Sequence, residues 1–85
     1  MYIVVKHNIS NPAKFWETAQ AAMLALPKDM KLHSTLPNHD GSNAVCLLEA
    51  NSIDAVKEAI EPLLGQISRN EYFEVDAKKA IGLPK

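Results

Sequence analysis

The chain contains little that would cross-link it covalently or anchor it in a membrane. Its single cysteine, Cys46, cannot form a disulfide within the chain, which is typical of proteins from reducing compartments. The longest uninterrupted apolar run, residues 21–26, is far shorter than the roughly 20 residues that span a bilayer. The N-terminus also has no basic region ahead of an apolar one. We therefore expect a cytoplasmic protein with no membrane partner.

An excess of charge of one sign is also missing. Nine basic and ten acidic residues give a net charge of −1, so no basic stripe is available to neutralise a phosphate backbone. We therefore expect no nucleic-acid partner. The hydrophobic fraction of 47% and the charged fraction of 22% are ordinary for a globular protein. With 85 residues, the chain is expected to form a single domain over residues 1–85 whose small core would gain from oligomerisation.

The first third of the chain predicts a strand followed by a helix. Residues 2–9 are rich in β-branched and aromatic types and end at a Ser-Asn-Pro breaker, as a strand would. Asn11 is placed to cap a helix with Pro12 in its first position. Apolar side chains then recur at helical spacing from Phe15, and Pro27 ends the pattern.

The middle of the chain predicts a hairpin. Residues 30–36 alternate, with Met30, Leu32, Ser34 and Leu36 on one face, which indicates a strand near the edge of a sheet. Residues 37–42, PNHDGS, are typical of a turn, because Asp and Gly tolerate the positive φ of tight hairpins. Residues 43–50 form the returning strand.

The last third predicts a second helix and a fourth strand. Asn51 or Ser52 would cap the helix, whose apolar face is clearest over residues 53–60. Pro62 is expected to kink the helix or end it early, and Gly65 to complete the stop. Residues 71–75 predict the fourth strand, and residues 76–81 a short helical turn.

This order predicts an α+β fold of ferredoxin-like type, β-α-β-β-α-β, with two helices on one face of a four-stranded antiparallel sheet. Residues 2–5 and 45–48 are apolar at every position, which is typical of strands with both faces covered. Two helices can cover only one face. We therefore expect a second copy of the chain to cover the other, giving a homodimer through the sheet face with a cavity between the sheets.

Short motifs add a family resemblance over about residues 1–60. The order and sheet pairing resemble the dimeric α/β barrel superfamily, which includes cofactor-free monooxygenases, isomerases, haem-degrading enzymes and stress-induced proteins. Residues 32–34, 40–41, 45–50 and 54–56 resemble a family of small uncharacterised ferredoxin-like proteins, one described member of which binds nickel. That family often has an aromatic residue just before the matching glutamate, Glu49, where this chain has Leu48. The resemblance implies the fold and a nickel-binding hypothesis, and it assigns no ligands.

The candidate metal ligands are His7, His33 and Glu49, which would bind nickel or another transition metal if they converged. Cys46 and Glu49 are three residues apart in one predicted strand, which places them on opposite faces if the strand is regular, so these two cannot join one site. No closely spaced pair of ligands such as Cys-x-x-Cys supports the site. No other cofactor is expected.

The candidate catalytic residues are Glu49, His33 and Tyr72, since a cavity enzyme needs a general base or an oxyanion donor. The candidate ligand-binding residues are His7, Asn8, Glu49 and Tyr72. Cys46 is expected to be an inert buried thiol, because it sits in an apolar run without a cationic neighbour in sequence.

Together these observations favour, over an enzyme, a small homodimeric binding or stress-type protein that takes up a small apolar ligand, or a transition metal, in a cavity between the sheets. The alternative is a cofactor-independent monooxygenase or isomerase of the dimeric α/β barrel type. The two differ in whether polar groups converge inside an enclosed pocket.

Overall fold

A computed structural model describes residues 1–84 and confirms the ferredoxin-like order. The elements are β1 (Tyr2–Ile9), α1 (Pro12–Leu24), β2 (Lys31–Pro37), β3 (Asn43–Glu49), α2 (Ile53–Leu64) and β4 (Ser68–Glu74). All pairings are antiparallel, and the strand order in the sheet is β2-β3-β1-β4. The two strands with continuous apolar runs, β1 and β3, are therefore the central ones.

The core lies between the helices and one face of the sheet. Alternate residues of the central strands point into it, because successive side chains of a strand point to opposite faces. The buried hydrophobic residues are Ile3, Val5, Ile9, Phe15, Ala44, Cys46, Leu48, Ala50, Val56, Ile60 and Leu64. Only Phe15 is buried on α1, whereas α2 buries three residues. The two helices thus contribute unequally to the core.

The helix ends follow local capping and tertiary packing. The side chains of Asn11 and Ser52 each accept a hydrogen bond from the backbone N–H three residues later, as predicted for the caps. α1 ends at Leu24, before Pro27. Of the two effects expected of Pro62, an early end of α2 is not found: the helix continues to Leu64, whose buried side chain anchors the last turn, and Gly65 is the C-cap as predicted.

The C-terminal segment also differs from its prediction. β4 begins at Ser68 and not at residue 71, because Ser68 already pairs with Ile9 of β1. Residues 77–79 do form the short turn predicted there: the backbone N–H groups of Lys79 and Ala80 both donate to the carbonyl of Asp76. The hydroxyl of Tyr2 donates a hydrogen bond to the carbonyl of Pro84, which brings the end of the described chain back to the start of β1.

Strand β2 contains a β-bulge that alters the predicted alternation. The register pairs Leu32 with Leu48 and Ser34 with Leu47, so His33 is an extra residue. Leu32 and Thr35 therefore follow Leu48 and Cys46 onto the helix-covered face, while Ser34 and Leu36 lie on the other. The prediction that Leu32, Ser34 and Leu36 share one face is wrong for this reason.

The second face of the sheet is not covered by a helix, and we call it the open face. It carries Val4, Leu36, Val45, Leu47 and Phe73, and Leu36 and Phe73 are 64% and 47% exposed. Neither helix within residues 1–84 is long and apolar enough to cross a membrane.

Candidate functional site

The structure separates the histidines proposed as metal ligands. His7 is 2% exposed and lies on the helix-covered face, whereas His33 and Glu49 lie on the open face. Among residues 1–84, no three His, Cys, Asp or Glu side chains are grouped as a metal ion would need. The predicted set of His7, His33 and Glu49 is therefore not one site, because the strand pleat sends its members to opposite faces.

The predicted ligand-binding set is divided in the same way. His7 and Tyr72 lie on the helix-covered face, and Asn8 and Glu49 on the open face. Glu49 pairs with Tyr2 at the start of β1, while Asn8 is near the end of that strand. Asn8 and Glu49 are thus at opposite ends of the sheet.

Two of the three candidate catalytic residues do meet. His33 Nε2 lies 3.0 Å from Glu49 Oε1, and the ring of Tyr2 lies 5.7 Å from that of His33. The Glu49 side chain is nevertheless about half exposed, and the pair does not line an enclosed apolar pocket. Tyr72, the third candidate, is on the other face.

The cavity suited to a small molecule lies under α1, on the helix-covered face. We call it the α1 pocket; its volume is about 300 Å³. Its walls are almost entirely apolar and include Phe15, Trp16, Ala19, Met23, Leu26 and Leu32. The pocket exists because α1 presents small alanines towards the β2 and β3 half of the sheet and buries only Phe15 there.

Three polar side chains meet at one place in the wall of this pocket. His7 Nε2 lies 3.3 Å from Cys46 Sγ, and Thr35 Oγ1 lies 3.6 Å from the same sulfur. The ring of Phe15 packs edge-on against the imidazole of His7, with 5.1 Å between the ring centroids. Apart from Gln20, which is exposed, the lining therefore contains one connected group of polar side chains.

On the same face of the sheet, a series of hydrogen bonds continues from His7 to β4 and α2. His7 Nδ1 lies 2.6 Å from Asn70 Oδ1, and Asn70 Nδ2 donates to Glu61 Oε2 at 2.6 Å. The hydroxyl of Tyr72 donates to the same Glu61 oxygen at 2.6 Å. Ser68 Oγ lies 2.7 Å from Asn70 Oδ1.

The ionised carboxylate of Glu61 determines which atom donates and which accepts in each of these hydrogen bonds. A carboxylate can only accept, so the amide nitrogen of Asn70 faces Glu61 and its oxygen faces His7. That oxygen can only accept as well, which places a proton on His7 Nδ1. His7 Nε2 then carries a lone pair and accepts the hydrogen of the Cys46 thiol.

Burial governs the protonation of the two groups in the pocket wall. Desolvation lowers the pKa of His7, and the hydrogen bond to Asn70 and the charge of Glu61 only partly oppose it. Desolvation also raises the pKa of Cys46, partly opposed by the hydrogen bond from Thr35. Both shifts favour a neutral imidazole beside a neutral thiol.

The pKa values of Tyr72 and Glu61 are shifted in opposite directions. Burial and the adjacent Glu61 raise the pKa of Tyr72. Hydrogen bonds from Tyr72 and Asn70 lower the pKa of Glu61, so its carboxylate form is favoured. The series of hydrogen bonds that begins at Cys46 therefore ends at a negative charge, the carboxylate of Glu61.

Sequence reasoning proposed His7 and Tyr72 but missed Cys46, Asn70 and Glu61 as their partners. Strand parity could have indicated the His7–Cys46 contact. His7 is an even number of residues from Ile3 and Val5, and Cys46 is two residues before Leu48, so each shares a face with apolar core residues of its strand. The register that sets His7 opposite Asn70, and α2 placing Glu61 beside it, needed the folded structure.

Comparison with family models, with curated proteins and with solved structures found no match to this chain.

Proposed function

We propose that this protein binds a small, largely apolar molecule in the α1 pocket, with Cys46, His7 and Thr35 as its polar contacts. One observation carries the proposal: a cavity of about 300 Å³ with apolar walls in which three polar side chains, His7, Cys46 and Thr35, are joined by contacts at the Cys46 sulfur. This is the usual composition of a small-molecule site, in which apolar walls supply affinity and a few polar atoms set orientation.

The pocket dimensions limit the ligand. A volume of about 300 Å³ is at the lower end of the roughly 300–1,000 Å³ typical of ligand sites. No Lys, Arg, Asp or Glu is among the lining residues described, so a charged ligand would lose its hydration without gaining a partner. We infer an uncharged compound with one hydroxyl or carbonyl group near Cys46.

Titration with 1-octanol, followed by amide NMR chemical shifts, tests the proposal. We expect shifts concentrated at residues that line the pocket, and weaker binding of n-octane, which lacks a hydrogen-bonding group. Ala19→Leu fills the pocket and should abolish the shifts. Ala21→Leu adds the same volume to an exposed position of α1 and should not. Unchanged binding to Ala19→Leu would exclude this pocket.

The open face supports a second proposal, that the protein is a homodimer. Leu47, Val4 and Phe73 lie side by side across β3, β1 and β4, which makes an apolar strip across the sheet. Lys6 and Glu71 are paired beside this strip. Two copies related by a two-fold axis would bury this strip between them, and the presence of both charge signs beside it avoids repulsion between like charges, which supports the proposal.

A reducing compartment such as the cytoplasm fits the proposed pocket, because Cys46 must remain a thiol to donate to His7. Metal binding at His33 and Glu49 would use two ligands from this chain and is the weaker alternative.

A further inference from the structure

The hydrogen-bond chain behind the pocket contains a cysteine, a histidine and an asparagine in consecutive contact, which ligand binding alone does not require. Cys46 Sγ, His7 and Asn70 are joined by contacts of 3.3 Å and 2.6 Å. A nucleophile, a base and a group that orients the base, linked in that order, form the arrangement used in nucleophilic catalysis.

We propose that Cys46 is a nucleophile that adds to uncharged α,β-unsaturated carbonyl compounds in the α1 pocket, with His7 as its general base. The proposal rests on the proposed function, because the pocket supplies the route by which such a compound reaches the sulfur. Cys46 and His7 both line that pocket.

The chain of hydrogen bonds prepares His7 for this role. Its Nε2 faces the thiol with a free lone pair, because Asn70 holds the proton on Nδ1 and Glu61 holds Asn70. Asn70 is therefore a positioning residue. The negative charge of Glu61 also favours the imidazolium that forms when His7 takes the proton.

The reaction is a conjugate addition and needs no further reactant. The S–H bond of Cys46 breaks as His7 Nε2 takes the proton, and the sulfur electron pair forms a bond to the β-carbon of the alkene. The alkene electrons move to the carbonyl as an enolate. The imidazolium then returns its proton to the α-carbon, so the product is a thioether and His7 is neutral again.

The surroundings favour addition over acyl transfer. Addition has no leaving group and needs no water, which suits a cavity with apolar walls. The groups that face His7 are Cys46 from β3, Phe15 from α1, Glu61 from α2 and Asn70 from β4. Thr35 contacts the Cys46 sulfur, and Lys57 and Tyr72 act through Glu61. The one other hydroxyl at the sulfur, that of Thr35, lies 3.6 Å from Cys46 Sγ and has no histidine of its own to act as a base.

The test is the pH dependence of alkylation by N-ethylmaleimide, followed by intact mass. Cys46 is the single cysteine, so one added mass reports on one site. If His7 is the base, the rate is almost constant from pH 6.5 to 8, because neutral thiol and neutral imidazole both persist there. A thiol without a base reacts as thiolate, and its rate rises tenfold per pH unit below its pKa. A tenfold rise per unit in the wild-type protein overturns the proposal, whatever the variants do.

Variants separate the chemistry from the binding. His7→Gln should lower the rate at pH 7 by about 100-fold and restore the steep pH dependence. Asn70→Ala should give an intermediate rate with a displaced pH profile. Ala19→Leu should slow alkylation and Ala21→Leu should not. If the alkylation rate of the wild type is independent of pH but Ala19→Leu reacts as fast as the wild type, the pocket is rejected as the route and His7 is kept as the base. If 1-octanol binds but the wild-type rate rises tenfold per pH unit, His7 is rejected as the base and the pocket is kept.

Discussion

His7 and Asn70 stand directly opposite each other on β1 and β4, with His7 Nδ1 2.6 Å from Asn70 Oδ1. Through this contact, a buried imidazole at the pocket is connected to an ionised carboxylate on α2. The position of Glu61 on α2 therefore affects, through Asn70, which nitrogen of His7 carries a proton in the wall of the pocket.

Asn70→Ala should destabilise the fold by about 1–3 kcal/mol, because it leaves the buried N–H of His7 without an acceptor. Urea denaturation followed by circular dichroism measures this change. Asn51→Ala is the matched control, since its amide bonds Asp29 at an exposed position. We expect that variant to stay within about 0.5 kcal/mol of the wild type. Equal losses in the two variants would contradict the role of Asn70.

Stability should fall as the pH drops below 6.5. The pKa of His7 is lowered in the folded state, so between that value and 6.5 the unfolded chain binds more protons than the folded one. His7→Gln should make the free energy of unfolding depend less steeply on pH below 6.5. The free energy of unfolding from urea titrations at pH 5 to 7 measures it, and an unchanged slope in the variant would rule out His7 as the cause.

Stability should also fall above pH 9. The pKa of Cys46 is raised above its ordinary 9.0, so the unfolded thiol loses its proton first and the folded state becomes less favoured. Cys46→Ala should remove the part of this loss of stability that Cys46 causes. Tyr72, whose pKa is raised above 10.0, contributes a further loss at higher pH. The same urea titrations at pH 8 to 10 provide the comparison.

Deleting His33 should leave the protein folded, because the residues on either side of the bulge keep their partners Leu48 and Leu47. Deleting Val45 is the contrasting change. It lies in β3, whose pairing with β1 is continuous, so its loss turns the following side chains to the wrong face. Circular dichroism and amide NMR spectra should show a folded first variant and an unfolded second one; two unfolded variants would refute the bulge assignment.

Phe73→Glu should shift the protein towards monomer if the open face joins two copies, because it places a charge in the apolar strip. Leu24→Glu makes the same change on α1, at a side chain 91% exposed, and should leave the association unchanged. Light scattering at micromolar concentration gives the masses. A wild-type monomer under these conditions would overturn the dimer proposal.

The local features were predictable because they depend on neighbouring residues. Asn11 and Ser52 cap their helices, and the chain turns between Pro37 and Asn43, with Gly41 at a φ of +76°. The exceptions arose where a distant contact outweighed a local preference: buried Leu64 keeps α2 helical past Pro62, and pairing with Ile9 extends β4 to Ser68.

Hydrophobic spacing and strand parity are enough to predict the order of elements, the central position of β1 and β3, and the opposite faces of Cys46 and Glu49. The folded structure was needed to show that His7 faces the helices beside Cys46, that His33 is displaced by a bulge, and that Asn70 and Glu61 complete the series of hydrogen bonds. Strand register and helix placement depend on contacts between residues far apart in the chain, and no local pattern encodes them.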